Sequence, residues 1–128
     1  MKPALFLTLL AASHVALAAD DSCKNAMTTL EINDCMQKQF EGADKRLNLR
    51  YQELLQKLRQ NDNGVAADKD KPSSLLAQAQ RKWITFRDAD CDAKYQIYIA
   101  GTIRNAVFLG CKIERTEQRI KELDPALW

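Results

Sequence analysis

Histidine is almost missing from this chain. The one copy, His14, falls within the first 18 residues, and those read as an export leader. Lys2 gives the positive charge, Ala4 to Val15 a short apolar run, and Ala16-Leu17-Ala18 a small-x-small cleavage site. The mature chain, residues 19–128, then has no histidine, which excludes serine–histidine and cysteine–histidine catalysis and histidine metal ligation. Serine is scarce as well: Ser22, Ser73 and Ser74 lie beside the chain start or in a connecting segment. Gly-x-Gly-x-x-Gly, Walker and Gly-x-Ser-x-Gly patterns are absent. An excess of either charge is absent too, because removal of Lys2 leaves 18 basic against 17 acidic residues. The bases are interleaved with the acids, so no nucleic-acid partner is expected. No stretch after the leader approaches the roughly 20 apolar residues of a membrane span, so no stable membrane insertion is expected. With no catalytic constellation in sight, the chain reads as a non-enzyme that needs no cofactor.

Four cysteines remain in the mature chain: Cys23, Cys35, Cys91 and Cys111. In a small exported domain an even number of cysteines points to two disulfides. A four-thiolate zinc site is the rival reading, but such sites favour tight C-x-x-C pairs, and no two of these cysteines are closer than twelve positions. Asp20-Asp21-Ser22 before Cys23 is not the apolar, small-residue run of a lipid-anchor signal. The expectation is a free periplasmic protein.

Periodicity points to helices alone. Thr28-x-x-Glu31 fits a capping box, and Ile32, Met36, Phe40, Ala43, Leu47, Tyr51, Leu54 and Leu58 follow at helical spacing. They predict one long helix to about Gln60, with Gly42 as a place to bend. Asn61 to Ser73 is polar and rich in breakers, an exposed connection. A second helix is predicted from Ser73 or Ser74 to about Tyr98, closed by Gly101. Thr102 would cap a third, ended by Asp124-Pro125. The fold class is all-α: an antiparallel three-helix bundle with a long first helix, stapled by two disulfides.

The second helix carries an uncommon mixture of aromatic and charged residues. Trp83, Arg87 and Cys91 are four apart and share a face, which places Arg87 along the bundle seam. A buried arginine needs a carboxylate, and Asp44, Glu41 or Asp90 is within reach of such a position. An internal ion pair that fixes helix register is preferred to a binding site there. Asn48 and Tyr51 are expected to hydrogen-bond across the bundle.

Together these residues resemble a known family. Cys23 and Cys35, then Ala43-Asp44-x-x-Leu47-Asn48-x-x-Tyr51, then Ala79-Gln80-Arg81-x-Trp83-Ile84-x-Phe86-Arg87-Asp88-x-x-Cys91, and finally Gly101, Cys111, Thr116, Arg119 and Leu123 closely resemble the LprI-type lysozyme-inhibitor domain. The likeness spans essentially the whole mature chain. It marks Asp44, Leu47, Asn48, Tyr51, Gln80, Trp83, Arg87 and Asp88 as motif residues. It implies a protein partner, a lysozyme or another muramidase. The alternatives are an immunity protein against another antibacterial toxin and a structural or assembly factor of the cell envelope.

The expected bridges are Cys23 to Cys35 and Cys91 to Cys111. If the second and third helices turn at Gly101, Cys91 and Cys111 are equally far from the turn and sit level. Cys35 is also level with Cys111 if helices one and three are parallel, so a Cys35 to Cys111 bridge competes. For a muramidase, whose site uses two carboxylates inside a generally basic enzyme, the natural contact is a local acidic surface. The connection Asn61 to Ser73, with Asp62, Asp68 and Asp70, is the first choice. The Glu31 to Asp34 end of the first helix is the second.

Overall fold

A computed structural model describes residues 21–65 and 67–128. The expected leader lies outside the described residues. A short 3-10 turn, Asp21–Asn25, leads into α1 (Thr29–Arg59), followed by α2 (Pro72–Ile97) and α3 (Arg104–Glu122). Further 3-10 turns occupy Asp68–Asp70 and Pro125–Leu127. The described residues form no strand, and the fold is the three-helix bundle that the periodicity predicts.

The start of α1 is fixed by side chains. Thr28 Oγ1 accepts from the Glu31 amide at 3.2 Å, while the Glu31 carboxylate accepts from the Met27 and Thr28 amides at 2.9 Å each. Those backbone donors, Met27 first, hold the Glu31 carboxyl below its ordinary pKa. The helix then runs unbroken through Gly42 and buries Ala43, Leu47, Leu54, Leu55 and Leu58.

The start of α2 is capped from a distance. Lys71 offers no side-chain cap, and Asp62 supplies one: its carboxylate accepts from the Ser73 amide at 3.2 Å and the Ser73 hydroxyl at 2.5 Å. The connection is therefore fastened to the bundle as well as exposed. Its reversal uses Gly64 at φ +90°, a left-handed conformation that glycine adopts without a Cβ penalty.

Between α2 and α3 the chain departs from the sequence-based expectation. Gly101 does not take a positive φ, and Thr102 does not cap α3, which begins behind Ile103 with no side-chain cap. The physical reason is that the turn's own amides close the helix: those of Tyr98 and Ile99 donate to the Tyr95 and Gln96 carbonyls, so no left-handed residue is needed. Arg104 ties the turn itself: its guanidinium donates to the Gly101 carbonyl at 3.1 Å and the Tyr95 hydroxyl at 3.1 Å, and lies 3.5 Å from the Ile99 carbonyl.

Contacts along the helices define their directions. Cys91 bridges Cys111, Asp90 meets Arg115, and Gln80 meets Arg119, so α2 and α3 run antiparallel. Arg46 pairs with Glu117, and Lys57 reaches the carbonyl of Trp128, so α1 and α3 run parallel. The N-terminus of α1, the α2–α3 turn and the start of α3 therefore share one end of the bundle. The main apolar cluster lies toward the other end: Leu47, Leu54, Leu55, Leu58, Leu76 and Leu123, with Tyr51, Trp83 and Ile120 packed against it.

The bridges are Cys23–Cys35 and Cys91–Cys111, each with Cα atoms 5.6 Å apart. The competing Cys35–Cys111 bridge does not form, although α1 and α3 are parallel. Successive helical residues point about 100° apart, and it is Met36 that faces α3 here. Its Cε lies 3.4 Å from where a Cβ on Gly110 would stand. Peptide mapping without reductant is expected to recover these two pairs. Replacing Cys91 and Cys111 together by serine should lower the unfolding free energy by about 2–4 kcal/mol in urea titrations.

Candidate functional site

Four of the motif residues, Asp44, Trp83, Asp88 and Thr116, converge on Arg87. Its side chain is only 5% exposed, yet it belongs to the most polar part of α2. Nη1 donates to Asp44 on α1 at 3.0 Å and to the Thr116 hydroxyl on α3 at 3.2 Å, and Nε donates to Asp88 at 2.9 Å. One guanidinium thus joins all three helices. Its faces are covered by the rings of Phe40 and Trp83, 5.2 and 5.3 Å from the guanidinium carbon, a favourable geometry for a desolvated cation.

The pattern continues along the seam as alternating cations and rings. Lys112 lies 4.5 Å from the Phe40 ring centre and 5.3 Å from that of Phe108, and its amine pairs with Asp88 at 3.2 Å. Arg119 stands 5.7 Å from Trp83 and donates to Gln80 at 3.2 Å. Arg115 lies over Phe86 and pairs with Asp90 at 2.8 Å. Burial works against the charge on Asp88, but hydrogen bonds from Arg87 and Lys112 outweigh it and hold the carboxyl below its ordinary pKa.

Of the acids expected near Arg87, Asp44 is in place, while Asp90 is engaged by Arg115 and Glu41 accepts from Gln37 on its own helix. The sequence reading did not assign Asp88 or Thr116, named there only as motif residues, as partners of Arg87, and it missed Lys112. Thr116 and Arg119 were visible only as motif positions, and nothing in their spacing showed which helix they face. Among the described residues the cross-bundle hydrogen bonds expected of Asn48 and Tyr51 are not found. Asn48 is exposed and stands 3.5 Å from Asp44 on the same helix, and Tyr51 packs on the apolar cluster.

The connection places its acids unequally. Asp62 is taken up by Ser73, Asp68 pairs with Lys71, and Asp70 is exposed in the 3-10 turn. An open depression of roughly 360 Å³ beside them is lined by Asp68, Lys69, Ser74, Gln78 and Arg81. A second, of roughly 420 Å³, lies over α1 between Phe40 and Gln52. Among the described residues the one cluster of potential metal ligands is Asp90, Cys91 and Cys111. Its two sulfurs are bonded to each other, and the four cysteines are consumed in two separate bridges, so the rival zinc reading does not hold.

The charge geometry makes two predictions. Asp44 and Asp88 are each about 40% exposed, so they rehydrate if Arg87 is removed, whereas Arg87 cannot rehydrate if they are removed. Asp44→Ala combined with Asp88→Ala should therefore cost about 3–5 kcal/mol of stability, and Arg87→Met clearly less, both measured by urea unfolding. Because the folded state lowers the pKa of Asp88, its contribution is present above the unfolded value of about 4 and is lost as pH falls through the lowered one. Urea titrations below about pH 4 should show a shallower loss of stability in Asp88→Asn than in the wild type.

Comparison with known proteins is consistent with this geometry. An uncharacterized protein of Rhizobium meliloti (strain 1021) is 28% identical over 125 residues, which cover 94% of this chain and 90% of the relative. No solved structure matches the chain. The profile of the family described as lysozyme inhibitor LprI matches residues 19–123, a span that contains the three helices, both bridges and the Arg87 junction. The chain belongs to the LprI lysozyme-inhibitor family.

Proposed function

We propose that this protein is an exported inhibitor of lysozyme-type muramidases. It works in the periplasm after loss of residues 1–18, and it acts by binding, without catalysis of its own. The observation that carries the reading is the lysozyme-inhibitor family match over residues 19–123, which covers the whole bundle. The physical character of the bundle supports it. The polar groups best able to do chemistry are turned inward and paired with one another around Arg87. What faces outward is a convex body clamped by two disulfides and closed by side-chain caps. A rigid surface loses little conformational entropy on association, which favours tight one-to-one binding.

Inhibition by such a body is steric: it occupies the substrate cleft and excludes the glycan strand. With 18 basic and 17 acidic residues in the mature chain, long-range steering toward a basic enzyme is weak, and affinity rests on local contacts. The exported protein is expected to suppress hydrolysis of a peptidoglycan suspension by a purified lysozyme, with residual activity falling to a plateau near equimolar ratio. Full activity at a large molar excess of the protein would defeat this reading. Retention of a resident envelope complex by the protein in place of lysozyme would favour an assembly role, and retention of a non-muramidase toxin an immunity role.

A further inference from the structure

The two ends of the bundle differ in chemistry. At the end holding the 61–71 connection, polar groups close the structure. Asp62 caps Ser73, and Lys57 donates to the carbonyls of Pro125 and Trp128 at 2.5 and 2.6 Å. Large apolar side chains stand in solvent at this end too, Leu75, Leu127 and Trp128, but a larger group gathers at the opposite end. Ile97, Tyr98, Ile99 and Ile103 are all exposed in and beside the α2–α3 turn, Ile97 by 76%. Met27 and Leu30, at the start of α1, are 87% and 79% exposed. The parallel register of α1 and α3 places both groups at the same tip. Single exposed apolar residues need no explanation, but several gathered on one convex end mark an interaction surface.

The charge around this tip is of one sign on the α2–α3 side. Between Asp92 and Glu114 the chain has no acidic residue and has Lys94, Arg104 and Lys112. Lys112 is drawn inward to Asp88 and the rings of Phe40 and Phe108. Arg104 is held at the turn by neutral oxygens, those of Tyr95 and Gly101, so no carboxylate in these contacts offsets its charge. Lys94 lies three and four residues before Ile97 and Tyr98, on the same helical face. The acid nearest in register on α1, Glu31, has its carboxylate turned onto the Met27 and Thr28 amides.

We propose that the α2–α3 tip is the part of the molecule that enters the muramidase cleft. Ile97, Tyr98, Ile99 and Ile103 are its apolar wedge, and Lys94 and Arg104 its charge contacts. This deepens the inhibitor reading and rests on it. A glycoside-hydrolase cleft is concave, and its reaction requires two carboxylates flanking the scissile bond. A convex end with apolar side chains and local positive charge complements such a cleft in shape and, at its two carboxylates, in sign, although the enzyme as a whole is basic. The acidic connection would instead set carboxylate against carboxylate. Like-sign contacts in a closed interface are costly.

The test compares four forms of the exported protein: wild type, Ile97→Ser/Ile99→Ser, Lys94→Glu, and Asp68→Asn/Asp70→Asn. Each is titrated against a purified lysozyme on a peptidoglycan suspension, with circular dichroism and thermal unfolding confirming that each folds. Ile97 and Ile99 are solvent-facing and Lys94 is half-buried, so wild-type folding is expected of the apolar variant and is checked directly for Lys94→Glu. The inhibition constant should rise roughly tenfold or more in the apolar variant, as for a central contact residue, and should also rise in Lys94→Glu. The connection variant should inhibit as the wild type does.

Inhibition by folded tip variants equal to wild type would overturn the tip assignment and leave the inhibitor reading standing. A loss confined to the connection variant would do the same. No inhibition by the wild type would overturn both. Two further measurements separate other occupants. Sedimentation with anionic phosphatidylglycerol vesicles, or self-association in analytical ultracentrifugation, that the tip variants abolish while still inhibiting lysozyme would assign the tip to a membrane or to a second copy, and would overturn the proposal.

Discussion

The guanidinium of Arg87 is the point on which the three helices agree. It is nearly fully buried, so it must be paired, and its partners come from α1, α2 and α3 at once. The pairing is uneven in solvation. Asp44 and Asp88 remain partly in water while the arginine does not, so the desolvation cost falls mainly on one ion, and the rings of Phe40 and Trp83 offset part of it. Such an arrangement adds modest stability compared with a well-packed apolar core. Its stronger effect is on register. Sliding any helix by one residue turns its side chains by about 100° and leaves a charge buried without a partner.

The remaining interactions fit around that register. Lys112 and Arg119 extend the alternation of cations and rings along α3, and Asp90 with Arg115 fixes α2 against α3 from the far side of Cys91. The Cys91–Cys111 bridge is compatible only with the level at which these pairs already meet. Apolar packing is concentrated toward the connection end, where Leu47, Leu54, Leu76 and Leu123 are almost fully buried. The half of the bundle nearer the α2–α3 turn relies more on disulfides, ion pairs and ring contacts. A small domain with a limited core depends on such cross-links. They also let apolar side chains at that end stand exposed.

Legibility in the sequence followed locality. The Thr28–Glu31 capping box, the long run of α1, the breaker-rich connection and the stop before Pro125 are short-range signals, and the structure realises them. Arg87 on the seam was legible because Trp83, Arg87 and Cys91 share one helical face. Where a local rule failed, another residue had taken over its role. Asp62 caps α2 across the connection, and Arg104 closes the α2–α3 turn that Gly101 and Thr102 were expected to shape.

The sequence by itself determined the helical class, the three elements, the two-bridge chemistry of the four cysteines, and the family. The first three depend on periodicity, composition or spacing within a segment, and the family on the resemblance of motif residues spread along the chain. The tertiary structure alone decided which acids serve Arg87, that Met36 and not Cys35 faces α3, that Asn48 stays on its own helix, and that the exposed apolar residues of α1 and of the α2–α3 turn meet at one end. Those facts depend on the rotation and offset of one helix against another. These are set by the simultaneous pairing of groups far apart in the chain, which no window of the sequence contains.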